Sequence, residues 1–207
     1  MALDDPIVIV DYDPRWPALY QARAADLIDA LGDHIDRIEH IGSTSVDGLA
    51  AKPIIDIIIG HGEPGFGSDT IAAITVLGYC YHGELGVPGR GFFDLEAERG
   101  NGVAVHLHVF PAGHPSISRD LAFRDALRGD AELRREYTTR KLALSLMYRD
   151  DLDGYNRGKE GFIPNVVGAR LAPAAWGTTL SLLGLAVSFS NEIRVLRREL
   201  GAVELGI

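Results

Sequence analysis

Cysteine is nearly absent from this chain: its 207 residues hold one, Cys80. Disulfide frameworks and cysteine zinc sites need several, so both are excluded. The lone thiol lies in a short apolar run between Tyr79 and Tyr81, which predicts a buried structural sulfur and a reducing, cytoplasmic setting. Cations are also in short supply. Twenty Lys and Arg face 29 Asp and Glu, a net charge of −9. That balance speaks against a general nucleic-acid binder and against attachment to an anionic membrane, because both rely on a basic field. It leaves room for a local basic pocket that takes an anionic small molecule. Internal repeats and low-complexity tracts are missing, so a solenoid is not expected. The opening MALDDPIVIV is acidic and lacks the charged-then-apolar layout of a secretion signal. The most apolar stretch, 172–189, is interrupted by Gly177, Thr178, Thr179, Ser181, Gly184 and Ser188. It is at the short limit for spanning a bilayer and reads as a segment packed on protein.

What is present suffices for a sizeable core, since 46% of the residues are apolar. The pattern predicts strands at 7–10, 35–41, 53–59 and 79–82, and a hairpin of 91–97 with 103–110 about Gly100-Asn101-Gly102. An early helix runs from the Pro14–Pro17 segment to Leu31, where Gly32 stops it. A short helix covers 68–77. After Pro111 the pattern turns helical, at 118–129, 131–150, 152–172 and 179–200. Strands early and helices late predict an α+β domain with a mixed sheet and a helical C-terminal half. We expect that domain over 1–172 and a helical extension over 173–207. The end of the last helix is amphipathic, with Ile193, Val195, Leu196 and Leu200 against Glu192, Arg194, Arg197, Arg198 and Glu199. It could fold back or form a homodimer.

Chemistry concentrates in His40-Ile41-Gly42-Ser43-Thr44-Ser45, followed by Lys52 and the strand Pro53-Ile54-Ile55-Asp56-Ile57-Ile58-Ile59. Gly42 lets backbone come close to a ligand. Ser43, Thr44 and Ser45 supply hydroxyls, and a helix start supplies free N–H groups, together an anion cradle. Alone, such a run is also an ordinary helix cap. Asp56 is the one carboxylate in an apolar strand, where burial is costly without a cation or good hydrogen bonds.

The pairing of a Gly-Ser loop with a strand aspartate resembles the nucleotidyltransferase superfamily. More closely, residues 40–57 (HIGSTSVDGLAAKPIIDI) resemble the GrpB-like family, whose domain also occurs fused to some dephospho-CoA kinases. The resemblance continues through Val10, Tyr12 and Trp16, through Gly89-Arg90 with Phe92-Phe93, and through His106-Leu107-His108-Val109. In the helical half it takes in Phe123-Arg124-Asp125, Tyr137, Lys141, Tyr155, Lys159 and Phe162-Ile163. It implies a nucleotidyltransferase-like mixed sheet, a Gly-Ser loop that contacts nucleotide phosphates, and strand carboxylates that hold divalent metal. ATP or another nucleoside triphosphate, with Mg²⁺ or Mn²⁺, is the ligand set it implies.

Three departures bear on that expectation. Asp47 stands where the family usually has proline, and Gly91 where a second arginine is common. Ile58 stands where a working nucleotidyltransferase carries its second acid, so a two-metal clamp cannot form in the usual way. His106 and His108 alternate on one strand face. In the resembled fold this strand lies near the one bearing Asp56, and with Asp56 the pair would make either a 2-His-1-carboxylate metal site or a proton-transfer group. Packing roles for both histidines remain open, as does a structural role for His40. Lys52, Arg90, Arg124 and Lys159 are the cations expected to converge on the loop and hold substrate anions.

Three functions follow. The first is a nucleotidyltransferase-type enzyme working on a nucleotide or anionic metabolite through the Gly-Ser loop and Asp56. The second is a nucleotide-independent cyclase or hydrolase using His106, His108 and Asp56. The third is a non-catalytic ligand-binding module.

Overall fold

The computed structural model describes residues 6–62, 65–97 and 103–163, together with 166 and 168. Helix α1 (Trp16–Leu31) has a proline in its first turn and ends at Gly32, whose φ of 57° suits a residue without a side chain. Its buried residues Trp16, Ala24, Leu27 and Leu31 follow helical spacing. Next come β1 (Ile35–Ile41), a single 3₁₀ turn at Ser43–Ser45, β2 (Ile54–His61) and α2 (Ser68–Val76). The short strand β3 (Cys80–Tyr81) precedes β4 (Gly91–Leu95) and β5 (Ala104–Pro111). Three helices follow: α3 (Pro115–Gly129), α4 (Ala131–Met147) and α5 (Leu152–Glu160).

The five strands form one mixed sheet in the order β1-β2-β5-β4-β3. Only the central β2–β5 pair is parallel. The α+β class with a helical second half is therefore as the sequence predicts. Alternation along each strand divides the sheet into two faces. One face presents Ile55, Ile57, Ile59, Val105, Leu107, Val109 and Phe93 to the main core, which also contains Trp16, Leu27, Leu31 and Ile74 of α1 and α2. On the opposite face, register aligns Ile41, Asp56, His106, Asp94 and Cys80 in one row across the sheet. Ile58, His108 and Phe92 make the next row. At one end of this second face Ile41 and Ile58 pack with Phe110 and Ile117.

Several sequence expectations are corrected. The run 7–10 is not a strand of the sheet. Val10 makes one isolated bridge with Ala51, and the Ile7 N–H donates to the Arg149 carbonyl, so the run ties the helical half to the loop before β2. Helix α3 starts at Pro115 rather than Ser118, because His114 caps it: Nδ1 accepts from the Ser116 N–H at 3.2 Å. Helix α4 ends at Met147 rather than Asp150, and Asp151 caps a separate α5 by accepting from the Gly154 N–H at 2.8 Å. Cys80 is exposed rather than buried: β3 is a two-residue edge strand, and Tyr79 takes the buried position. The Gly100–Gly102 turn, the apolar stretch 172–189 and the helix expected at 179–200 lie outside the described residues. Among the described residues, no helix is long and apolar enough to cross a membrane.

Candidate active site

The second face of the sheet opens into a cleft of about 1100 Å³. Its walls are the Gly42–Thr44 loop, the ends of β2 and β5, the 85–90 loop, and residues of α3, α4 and α5. Gly42, Ser43, Thr44, Lys52, Asp56, Arg90, His106, His108 and Lys159 all line it. The sequence separates these groups by up to 117 positions, from Gly42 to Lys159; the parallel β2–β5 pairing and the packing of the helical half bring them together.

The loop's shape follows from Gly42. Its φ of 68° and ψ of −174° belong to a region open almost only to glycine. A Cβ there would sit 2.2 Å from Asp56 Oδ2, so the loop lies directly against the strand carboxylate. Ser45 folds its hydroxyl back onto the Gly42 carbonyl at 2.6 Å and does not line the cleft. Thr44 donates to the Ile54 carbonyl at 2.9 Å. Its proton is thereby committed, so Thr44 Oγ1 accepts from His40 Nε2 at 3.1 Å. Stacked on Tyr20 with centroids 4.7 Å apart, His40 is buried and orients the loop rather than reaching the cleft. Burial pulls its pKa down to about 4, so it is neutral at pH 7.

Asp56 stands between the loop and two histidines. Its Oδ1 is 3.7 Å from His106 Nδ1 and 3.6 Å from His108 Nε2. Burial alone would raise its pKa, but His108, His106 and Lys159 outweigh that and hold it below the usual carboxylate value. His106 is pulled down to about 4, chiefly by burial, and is neutral. Arg90 fixes the tautomer of His108. Its Nη2 and Nε donate to the carbonyls of Leu85 (2.7 Å) and Glu84 (3.2 Å), and its Nη1 reaches His108 Nδ1 at 3.4 Å. Guanidinium only donates, so Nδ1 is the acceptor and the His108 proton sits on Nε2, toward Asp56. Leu85, with φ 42°, is the one described non-glycine residue with positive φ, and its carbonyl is the one that holds Arg90.

Among the described residues, no group of three or more His, Cys, Asp or Glu side chains is placed to hold a metal ion. The second-acid position is Ile58, fully buried against Ile41, Phe110 and Ile117.

Arg124 is the cation that does not converge on the cleft. It is buried and spent on Glu39 (2.8 Å), Asp125 (2.8 Å) and the His40 carbonyl (3.0 Å), bracing the strand that leads into the loop. In its place stand Arg119, paired to Asp120 at 2.7 Å, and Lys141, neither of which the sequence singled out as a site residue. Lys141 shares the buried face of α4 with Tyr137, Leu144 and Ser145. A lysine on that stripe was the available signal. Its Nζ lies 3.0 Å from Ser43 Oγ, contacts the Ala50 carbonyl, and sits 4.8 Å above the Tyr137 ring. Burial and then Lys159 push its pKa down to about 7. Tyr155 is buried beside Leu144 and Ile7, with Lys159 Nζ 4.4 Å above its ring.

Comparison with known proteins fits this arrangement to a family. The family model described as GrpB protein matches residues 6–168. This chain belongs to the GrpB family. A UPF0157 protein of Streptomyces coelicolor is 39% identical over 157 residues, covering 76% of this chain and 80% of that protein. A UPF0157 protein of Pseudomonas aeruginosa is 38% identical over 173 residues, 82% of this chain and 69% of the other. A dephospho-CoA kinase of Mycolicibacterium paratuberculosis is 26% identical over 75% of this chain but only 44% of its own length. Among solved structures, the GrpB protein of Enterococcus faecalis superimposes with a TM-score of 0.65 at 30% identity, covering 78% of this chain and 96% of that one. Two departures of this GrpB chain have local explanations. A side chain at Gly91 would meet Phe66, 2.4 Å from the position of its Cβ, so an arginine there would have to displace that ring. Asp47 lies on the far side of the loop, where it raises the Tyr12 phenol pKa second to burial.

Proposed function

We propose that this GrpB protein is an enzyme acting on an anionic small molecule. The Gly42–Thr44 loop and its cations hold the anion, and Asp56 with His108 moves a proton. One observation carries this reading: Arg90 contacts His108 at 3.4 Å and His108 lies 3.6 Å from Asp56, a row of groups ending at an ionised carboxylate in the cleft wall. The Asp56 carboxylate faces a histidine N–H on one oxygen and the loop on the other. A substrate hydroxyl or amine beside the loop finds an acceptor there, the His108 N–H stabilises the carboxylate, and the protonated Asp56 returns the proton. Proton transfer of this kind needs no metal, in keeping with an apolar residue in the second-acid position. Cyclisation and hydrolysis are the reaction classes such a group serves.

The test is metabolite profiling. A small-molecule extract is incubated with the wild type or with Asp56→Asn, with and without EDTA, and analysed by mass spectrometry. Anionic species consumed by the wild type, spared by the variant and indifferent to EDTA are the expected result. A second reading, nucleotidyl transfer, is favoured by the contact of the Gly-Ser loop with the strand aspartate. It requires nucleotide consumption with pyrophosphate release, abolished by EDTA, and that outcome would replace the first reading.

A further inference from the structure

Lys141 is 2% exposed, and among the described residues no carboxylate pairs with it. Its polar contacts are neutral: the Ser43 hydroxyl at 3.0 Å and the Ala50 carbonyl. The charged group that acts on it most is another cation, Lys159, across the α4–α5 contact. A buried ammonium with no counter-ion is costly, and a second cation nearby raises that cost. Lys141 nevertheless lines the cleft beside Gly42, Ser43 and Thr44. The surrounding elements carry other titratable groups. The strand side has Asp56, His106 and His108, α5 has Tyr155 and Lys159, and α4 itself has Tyr137. Lys52 stands at the start of β2, and Arg90 and Arg119 line the wall opposite. Of the acids lining this cleft, Asp56 is committed to the histidines and Asp120 to Arg119. Asp150 and Asp151 come from the α4–α5 connection, and Asp153 from the first turn of α5.

We infer that the missing counter-ion of Lys141 is the ligand itself, a phosphate-like dianion seated between Ser43, Lys141 and Lys159, whose arrival brings one proton onto the lysine. The inference rests on the reading of the loop as an anion site and adds which residue anchors the anion and what that costs in protons. In the empty cleft the amine is about half charged at neutral pH, because burial lowers its pKa to about 7. A dianion at Ser43 favours the charged form and raises that value. Binding above neutral pH therefore takes up a proton, and affinity falls as pH rises past about 7. Carboxylates and phosphate esters share the anionic chemistry; the preference for a dianion comes from two lysines lining the cleft, one of them on the Ser43 hydroxyl.

Sulfate is the first probe, since it stays a dianion across the neutral range and any proton taken up belongs to the protein. The full chain is titrated calorimetrically with sulfate at pH 8 in Tris and in HEPES, whose ionisation enthalpies differ. Pyrophosphate and ATP are run in parallel for binding alone. The expected result is uptake of roughly one proton per sulfate in the wild type. In Lys141→Met, with its melting temperature checked, the uptake is lost and affinity drops tenfold or more. Sulfate binding by the wild type without proton uptake would overturn the inference and leave the anion-site reading standing. Unchanged uptake in a folded Lys141→Met would do the same. Failure of sulfate, pyrophosphate and ATP alike to bind would overturn both.

Discussion

Gly42 meets two demands at once: a backbone angle closed to other residues and contact with Asp56 too close for a Cβ. Gly42→Ala should therefore lower the unfolding free energy by about 2 kcal/mol or more in urea titration, and weaken anion binding with it. An alanine variant as stable as the wild type would mean the loop adapts. His40 makes a different prediction. Its pKa is about 4 in the fold against 6.5 for the free side chain, so the unfolded chain binds the extra proton between those values. The stabilisation is complete above pH 6.5 and is lost as pH falls toward 4, by about 3 kcal/mol at most. Urea midpoints at pH 7 and 5 should fall less for His40→Gln than for the wild type. Equal falls would remove His40 from the account. Lys141, Arg90 and Asp56 belong to the same scale, since each is defined by what surrounds its charged end.

Strand β2 shows how one element can carry both a core and a site. Its alternation sends Ile55, Ile57 and Ile59 into the main core and leaves Asp56 and Ile58 on the other face. These two positions differ sharply: Asp56 faces the cleft, while Ile58 is sealed by Ile41, Phe110 and Ile117. Ile58→Asp should cost about 3 kcal/mol or more and give no gain in Mg²⁺ binding by calorimetry. Recovery of metal binding in a stable variant would revive the two-metal reading. Helix α4 places Lys141, and its start depends on Asp130, which accepts from the Leu133 N–H at 3.0 Å. Asp130→Ala should lower stability by about 1 kcal/mol, measured by thermal or urea unfolding. The alternation of His106 and His108, the buried β2 run and the Gly-Ser turn were legible because each is a local pattern. Pairing of β2 with β5 is not a local pattern, since it joins segments about fifty residues apart, and the nearness of Asp56 to His106 and His108 came through the family resemblance. The short edge strand β3 misled for a related reason: the apolar Tyr79–Tyr81 run has the composition of a core strand, and only its place at the sheet edge exposes Cys80.

At the scale of the molecule, a chain with a net charge of −9 gathers Lys52, Arg90, Arg119, Lys141 and Lys159 around one cleft. The acidic composition left room for a local basic pocket, and the Gly-Ser loop lines the cleft where these cations gather. The inventory of cations was harder to read. Arg124 lies in the stretch that resembles the family, yet its charge is spent within the fold, on Glu39 and Asp125. Lys141 contacts Ser43 across 98 positions, a contact that only the packing of α4 against the loop creates. The central claim is that this cleft binds a small anion through the loop without a metal. Thermal unfolding of the wild type and Ser43→Ala with ATP, pyrophosphate or sulfate, each in EDTA and again with Mg²⁺, tests it most directly. The account predicts a rise in melting temperature with at least one of these anions in EDTA, reduced in Ser43→Ala. No rise with any anion, or a rise that appears only with Mg²⁺, would contradict it.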